Sequence, residues 1–358
     1  MATLQTTTFN DTGNITIPAG TTAQRPGSPA TGMIRYNTSM SLIEFYDGSA
    51  WRPVTGWSPG IIGTGGNTVY YKDNSIVHMF TSTGAHTFTP SFTGNIQVLV
   101  VAGGASSGGQ HGGGGGAGGV TFNRAFPVTA GTPYAINVGS GAPNNGGGFG
   151  NNGGPSTFAS ITTTGGGGGG NWDNSAKANN GGSGGGGGTS SAQGSRYRVP
   201  PGDGVQNQGF PGGSGIRFNR QGDNCHNGGG GGGAGGPGLE GSDNNNYGDC
   251  AEGGPGVATS LLGETLYFGG GGGGSSHINP GGGGSGGIGG GGGGSVHHGQ
   301  PQKPGSIPQG IGGGFSLNTG TTASIPFGGS GGTNTGGGGG ASNGTGGPGG
   351  PGIVIIRY

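Results

Sequence analysis

Two short apolar runs dominate the hydrophobic pattern of the chain. One is Ile96–Ala102 and the other is Gly352–Tyr358. Both are rich in β-branched residues, carry almost no polar interruption and are short, which predicts buried β-strands rather than helices. About 250 residues dominated by glycine lie between them. We therefore expect the two runs to pair in one small sheet that closes the chain around the glycine-rich part.

Residues 1–56 follow a different pattern and predict a small β unit of their own. Leu4–Thr8 and Asn14–Ile17 predict short strands, and a loop with three prolines follows them. Gly32–Asn37 and Leu42–Trp51 predict a hairpin, with a second turn at Asp47-Gly48. A unit of this size is marginal as an independent domain, so we expect its aromatic side chains to be covered by the rest of the chain or by other copies.

Residues 57–67 are rich in glycine and proline and predict a linker. Beyond them, strand patterns recur about every ten residues up to position 138, with turn residues between them, which is typical of a β-sandwich or jelly-roll-like half. The predicted strands are Val69–Tyr71, Ile76–Thr81, Ala85–Pro90, Ile96–Ala102, Gly119–Asn123, Phe126–Thr129 and Pro133–Val138. The fold class expected is mostly β with negligible helix: a β-hairpin module (1–56), a linker (57–67) and a glycine-rich β-sandwich domain (68–358).

Composition changes this picture in one respect. Glycine accounts for 108 of 358 residues and proline for 22, which ordinarily indicates low complexity and disorder. Disordered chains, however, usually combine high net charge with few aromatic residues. This chain has 12 basic and 12 acidic residues, and it has 14 Phe, 9 Tyr and 3 Trp. The low charge density also argues against a nucleic-acid partner, because phosphate contacts need clusters of Lys and Arg.

The glycines occur in blocks rather than at every third residue, which excludes collagen. Ordering glycine costs roughly 0.5–1 kcal/mol per residue more than ordering alanine, and glycine has no side chain whose burial could offset this. Extended threefold helices without Cβ atoms can instead pack with their backbones in near contact and pair their amides sideways. We therefore predict a lattice of polyglycine II-type helices; the alternative is a set of disordered linkers. The tracts are 112–119, 165–170, 181–188, 228–236, 269–274, 281–294 and 336–352.

The segments between the tracts carry most of the chemical variety of the chain. Aromatic, basic and imidazole side chains at loop tips on a rigid scaffold are suited to recognition, because they hydrogen-bond and stack. Plain hydrophilic turns are the alternative for any single residue. The candidates for receptor binding are Trp172, Tyr197, Arg217, Arg220, Tyr247, His277 and His297.

Three resemblances add to this interpretation. Gly20–Pro26, Gly32–Asn37 and Phe45–Trp51 together resemble a module of bacteriophage tail fibres, which implies attachment to other virion proteins and a homo-oligomer, with a trimer favoured. The segments Phe80–Phe88, Val98–Gly104, Tyr134–Gly141 and Gly349–Tyr358, with the glycine blocks between them, resemble the glycine-rich β-domain of phage and bacterial surface proteins. The decorated segments between tracts resemble those of the tail-tip adhesins of T-even-like phages, in which such loops contact the host receptor.

Other chemistry finds little support in the sequence. Cys225 and Cys250 lie in neighbouring segments and are candidates for a disulfide, which a released particle permits more readily than the cytosol. A metal site at Cys225, His226 and Cys250 has no CxxC spacing, and His297 and His298 are adjacent and point apart, so no metal is expected. No nucleophile elbow or phosphate-binding loop is present, and we expect neither enzyme activity nor a cofactor. A glycosidase pair among Asp243, Asp249 and Glu252 stays open.

Three functions are compatible with these patterns. The first is a host-recognition adhesin on a phage tail fibre or spike, which binds a glycan or an outer-membrane protein on the host cell. The second is a purely structural fibre or head-decoration protein, and the third is an ice-binding protein. Loops of ten to thirty residues with Arg, Trp and His argue against the third. The N-terminus has neither a basic nor an apolar signal-peptide region, so we expect synthesis in the host cytoplasm and residence in the virion.

Overall fold

The computed structural model describes residues 16–40, 42–54, 63–73, 75–144, 146–172, 176–190, 196–220, 223–242, 251–277, 282–296 and 309–358, and the side chains of 219, 220, 223 and 224 are not among the described parts. The chain divides into two compact units, Met1–Ile62 and Gly63–Tyr358. The predicted fold class is confirmed: the described residues are mostly β, they form several sheets, and they contain no helix longer than a single 3₁₀ turn.

The first unit contains a four-stranded sheet in the order β1-β2-β3-β4. Its strands are β1 (Ala19–Gly20), β2 (Ile34–Asn37), β3 (Leu42–Tyr46) and β4 (Trp51–Pro53), and a 3₁₀ turn spans Thr22–Gln24. The predicted hairpin is confirmed by the antiparallel pairing of β2 with β3 and of β3 with β4. The predicted strand Leu4–Thr8 lies outside the described residues, and Thr16 and Ile17 belong to no strand.

This sheet buries its polar face. Glu44 is 1% exposed and accepts hydrogen bonds from Arg25 (Nη2 to Oε2, 2.6 Å) and from Asn37 (Nδ2 to Oε2, 3.1 Å). Arg35, also buried, lies 3.5 Å from the other Glu44 oxygen. Burial raises the pKa of the Glu44 carboxyl, but the hydrogen bonds and the charges of Arg25 and Arg35 outweigh it and leave the pKa below its usual value. The apolar side chains that alternate with these buried polar ones, such as Ile34, therefore face outward.

The second unit is built on two sheets that pack face to face. The five-stranded sheet has the order β5-β6-β19-β8-β9, and the four-stranded sheet has the order β12-β11-β10-β7. The strands are β5 (Thr68–Lys72), β6 (Ser75–Phe80), β7 (Gly84–Phe88), β8 (Gly94–Val101), β9 (Val120–Val128), β10 (Tyr134–Val138), β11 (Ser156–Phe158), β12 (Ile161–Thr163) and β19 (Ile353–Arg357). Residues 63–67 also belong to this unit, since Thr64 and Thr89 exchange backbone hydrogen bonds.

The expected pairing of the two apolar runs is confirmed. Strand β19 lies antiparallel to β8, with Ile353 opposite Val101 and Arg357 opposite Gln97. On its other side β19 pairs with β6. The last strand of the chain is therefore the central strand of the five-stranded sheet.

Both faces of this central sheet are covered, which explains why its strands are continuously apolar. Val98, Val100, Val354 and Ile356 pack against the four-stranded sheet in one cluster with Phe88. The alternate residues, among them Leu99 and Ile355, pack in a second cluster that includes Phe268 and Leu261 from the glycine-rich part of the chain.

A buried hydrogen-bonded chain anchors the final residue. The Nδ1 atom of His78 lies 2.6 Å from the Gly65 carbonyl oxygen, and Nε2 lies 2.9 Å from the Tyr358 hydroxyl. The Gly63 amide donates to the same hydroxyl at 2.9 Å. These partners assign the proton of His78 to Nδ1, so that Nε2 accepts from the tyrosine. Burial lowers the pKa of His78 and raises that of Tyr358 to about 12, so both side chains stay neutral near pH 7.

The glycine tracts are hydrogen-bonded to one another sideways. In the tract 113–119 every third amide donates to the same neighbour. The amides of 113, 116 and 119 donate to the tract 164–170, those of 114 and 117 to the tract 229–232, and those of 115 and 118 to the tract 336–339. Donation in rotation to three neighbours is what threefold extended helices would produce. The ordered lattice is therefore observed as a backbone hydrogen-bond network, while the polyglycine II helix itself stays a prediction.

The structure also corrects the predicted loops. Gly119–Asn123 and Phe126–Thr129 form one strand, β9, with a bulge, because Asn123 and Phe126 continue to pair with β8. Several of the segments between the tracts contain strands, among them those of Tyr197, Arg217 and His277, which were expected at loop tips. These strands are β13 (Arg196–Val199), β14 (Gly215–Arg220), β15 (Asp223–Asn227), β16 (Val257–Thr259), β17 (Leu266–Phe268) and β18 (Ser276–His277).

The lattice leaves no room for a side chain at most of its glycines. A Cβ atom added at Gly272 would overlap the carbonyl oxygen of Gly339, whereas one added at Gly314 would meet nothing within 4 Å. We predict that Gly272→Ala lowers the free energy of unfolding by about 1–3 kcal/mol or more, as overpacking of a core does. Gly314→Ala is the matched control and should change it by less than about 0.5 kcal/mol. Denaturant unfolding of both variants measures this, and equal stability of the two would contradict the packed lattice.

Candidate functional site

Four side chains form a row across one sheet at the end of the glycine lattice. The sheet has the order β13-β14-β15-β18, and its register places Tyr197 opposite Arg217, Arg217 opposite His226, and His226 opposite His277. Residues directly opposite one another on neighbouring strands share one face of the sheet. We call Tyr197, Arg217, His226 and His277 the cross-strand row.

Two further rings pack on the imidazole end of this row. His111 stacks on His226 with ring centroids 5.1 Å apart and lies 4.5 Å from the ring of His277. Trp172 meets His111 edge-on at 5.7 Å and His226 at 6.1 Å. We call His111, Trp172, His226 and His277 the ring cluster. It collects four rings from four segments that are distant in sequence.

The opposite face of the sheet ties the row to the lattice. Ile216 is fully buried, and its cross-strand partner Asn227 is 1% exposed. The Asn227 side chain donates to the Ser242 carbonyl at 2.7 Å and accepts from the Ser276 hydroxyl at 3.1 Å. Ser275, next along the chain, donates its hydroxyl to the Gly112 carbonyl of the lattice at 2.8 Å. The strands under the row are therefore held in place by buried polar contacts as well as by apolar packing.

The ring cluster contains buried polar atoms whose hydrogen-bonding capacity is not met within the described residues. His226 is 6% exposed, and its Nδ1 atom has no hydrogen-bond partner. The indole Nε1 of Trp172 and the side-chain oxygen of Asn171 are in the same situation. A buried polar atom left unpaired costs about 1–3 kcal/mol, so fold stability alone does not account for this arrangement.

The surroundings of His226 favour its neutral form. Burial, together with the neighbouring His277 and Arg217, lowers the pKa of His226 to about 4. An imidazole with this pKa is uncharged at pH 7 and offers one donor and one acceptor. The three imidazoles stack and tilt against one another, and the described residues contain no group of three or more His, Cys, Asp or Glu side chains that could hold a metal ion.

Comparison with known proteins adds the family. The model of a glycine-rich domain family matches residues 81–358, which is more than half of the chain. The chain belongs to this glycine-rich domain family. The match covers all four strands that carry the cross-strand row. No curated protein sequence matches the chain. Within the described parts of the glycine-rich domain and of the first unit, no helix has the length and hydrophobicity needed to cross a bilayer.

Of the seven candidate residues, the structure brings four together. Trp172 lies in the ring cluster, His277 in both the cluster and the row, and Tyr197 and Arg217 in the row. Contrary to the sequence-based expectation, Tyr197, Arg217 and His277 sit on strands of the glycine-rich domain rather than at loop tips. The correction follows from the strand pairing, because these residues are partners in one sheet whose other face is buried at Ile216.

The structure describes the remaining candidates only in part. Arg220 ends β14, and its side chain is not among the described parts. Tyr247, His297 and Cys250 lie outside the described residues. Cys225 is buried on β15, and its predicted disulfide stays a prediction because Cys250 is outside the described residues.

Sequence reasoning missed two members of the ring cluster. His111 lies inside a run of glycines, and His226 was considered only as a metal ligand beside Cys225. The sequence carries no signal for either position, because Asp223–Asn227 shows no alternation of apolar and polar residues. The position of His111 depends on which tracts lie side by side.

The lowered pKa of His226 predicts an acid-sensitive glycine-rich domain. The unfolded chain takes up a proton near pH 6.5 and the folded chain only near pH 4, so stability is lost as the pH falls between these values. The loss should reach about 3 kcal/mol, since each unit of pKa difference corresponds to about 1.4 kcal/mol. The His226→Phe variant should lack the part of this pH-dependent loss of stability that comes from protonation of His226. Urea unfolding of both proteins from pH 8 to pH 4 checks this; parallel curves would contradict it.

Proposed function

We propose that this protein is a bacteriophage fibre protein, of a tail fibre or spike, that recognises the host cell through the ring cluster and the cross-strand row. The observation that carries the proposal is that these rings converge on one face of a sheet. They include buried polar atoms that have no hydrogen-bond partner among the described residues. Such atoms gain a partner when a ligand with matching groups binds. Trp, Tyr and Arg are also the residues that most often dominate binding energy at interfaces.

The surroundings of this face support a role in recognition. The lattice below is packed backbone against backbone, so it presents the face with little loss of conformational entropy on binding. The proposal is one of binding without catalysis and without a cofactor.

The ligand class follows from the same side chains. Indole and phenol rings stack on sugar faces or on aromatic residues, and imidazole and guanidinium groups donate hydrogen bonds. We propose a glycan or an extracellular loop of an outer-membrane protein as the receptor. Residence in the virion, after synthesis in the host cytoplasm, is part of this proposal.

The first unit supports the assignment to a fibre in a different way. Ile34 lies opposite Phe45 and Tyr36 opposite Ile43 on the outward face of its sheet, and Ile34 is 51% exposed. An apolar sheet face in a small unit whose buried face is polar needs a partner. We propose that copies of this chain, three in number, cover this face and that the module also joins other virion proteins.

Cell binding tests the recognition function. The protein is labelled with a fluorescent dye and incubated with a panel of bacterial strains to measure binding. With a strain that binds it, unlabelled protein is then added before phage infection, and the reduction in phage adsorption is measured. Trp172→Ala should weaken cell binding at least tenfold, about 1.4 kcal/mol, because an aromatic anchor is lost. Its melting temperature should stay close to that of the wild type.

Phe210→Ala is the control for this experiment, because Phe210 is an exposed aromatic residue outside the ring cluster. It should bind like the wild type. Unchanged binding by Trp172→Ala would remove the ring cluster from the receptor site. Binding to no strain and no competition with adsorption would favour the purely structural fibre role.

Light scattering after size-exclusion chromatography tests the oligomer. The wild type should have the mass of a trimer, and Ile34→Lys should be a monomer, because a charge on the apolar face cannot be buried without a partner. Ser28→Lys, in an exposed loop of the same unit, should remain trimeric. A monomeric wild type, or a trimeric Ile34→Lys, would contradict the proposed interface.

A further inference from the structure

A cavity lies on the five-stranded sheet, away from the ring cluster. Its volume is about 600 Å³, within the range of small-ligand pockets. None of the residues of the ring cluster or the cross-strand row lines it. Its floor includes Gln97 and Arg357, which are direct partners on β8 and β19, and its wall includes Ser260, from the turn that follows β16.

Two guanidinium groups point to the charge of the ligand. Arg124 lies over the ring of Phe122, with its Cζ atom 4.9 Å from the ring centroid. Arg357 donates from Nη1 to the carbonyl oxygens of Leu261 at 3.0 Å and Ser260 at 3.4 Å. Both groups are thus held in place and keep further N–H donors, and among the described residues no Asp or Glu side chain lines the cavity. Two fixed cations without an acidic side chain favour an anionic ligand.

A β-bulge brings Arg124 to this cavity. Ile96 pairs with Phe126 and Val98 with Asn123, so Gln97 alone faces the two residues Arg124 and Ala125. The Asn123 side chain stabilises the bulge by accepting the Ala125 amide hydrogen at 2.9 Å. Bulges redirect side chains and are frequent beside binding sites. The bulge in β9 thus places the Arg124 guanidinium at the cavity.

The other side chains of the lining are uncharged, and several of them form hydrogen bonds. Hydroxyl groups come from Ser75, Thr259 and Ser260, and amide groups come from Asn95 and Gln97. These groups both donate and accept, as a ligand with many hydroxyl groups requires. Guanidinium groups bind carboxylates through paired hydrogen bonds. We propose that this cavity binds a carboxylated saccharide, at a site separate from the receptor site proposed above.

Calorimetric titration of the full chain with trigalacturonic acid tests the proposal, with maltotriose as the neutral trisaccharide. The acidic sugar should bind at least tenfold more tightly than the neutral one. Arg124→Gln should weaken binding of the acidic sugar at least tenfold. Arg124→Lys keeps the charge but loses the planar guanidinium, so its affinity should lie between those of the wild type and Arg124→Gln. Gln97→Ala is a second variant that leaves both cations in place, and it should weaken binding severalfold.

Arg198→Gln is the matched control, because Arg198 lies on β13 and its side chain pairs with Glu240 at 2.8 Å, outside the cavity. It should bind trigalacturonic acid like the wild type. The proposal is wrong if trigalacturonic acid does not bind, if maltotriose binds equally well, or if Arg198→Gln weakens binding as much as Arg124→Gln. Binding of a hexaglutamate peptide without binding of the sugar would also overturn it, in favour of an acidic peptide. None of these outcomes depends on binding to cells.

Discussion

The glycine-rich unit depends on hydrogen bonds between the backbones of neighbouring glycine tracts. In the tract 113–119 each amide in turn donates to one of three neighbours, so one tract is held from three sides. This contact requires the absence of Cβ atoms, because an added one at Gly272 would overlap a neighbouring carbonyl. Glycine, which usually weakens ordered structure, is here the residue that permits it. In this lattice, hydrogen bonds between main-chain N–H and C=O groups take the role that packed apolar side chains have in other protein cores.

The lattice and the β-sandwich stabilise each other through the central strand. β19 lies between β6 and β8, and its two faces contribute to two separate hydrophobic clusters. One cluster fills the sandwich, and the other joins the sheet to Phe268 and Leu261 of the glycine-rich part. Closing the sheet with the last strand therefore orders segments that are more than 200 residues apart in sequence.

The side chains with chemical variety are concentrated where the lattice ends. The ring cluster draws His111 and Trp172 from the ends of glycine tracts and His226 and His277 from a small sheet on top of them. A scaffold without side chains positions these groups without competing with them for contacts. The sandwich side carries different chemistry, with two guanidinium groups in a cavity beside a bulge. The first unit inverts the usual pattern, because the Glu44 network occupies the buried face and the apolar residues lie outside.

The sequence by itself determined the class of the fold, the hairpin of the first unit and the pairing of Ile96–Ala102 with the final strand, because β-branched runs and turn residues act locally. It also selected Trp172, Tyr197, Arg217 and His277 by residue type. It did not indicate that three of them lie on strands, that His111 and His226 complete their cluster, or that β9 bulges at Arg124. The bulge depends on the pairing of β9 with β8. The cluster depends on which glycine tract lies beside which, and identical glycines carry no side-chain pattern that distinguishes one neighbour from another. Only the tertiary structure, through the register of its backbone hydrogen bonds, decided them.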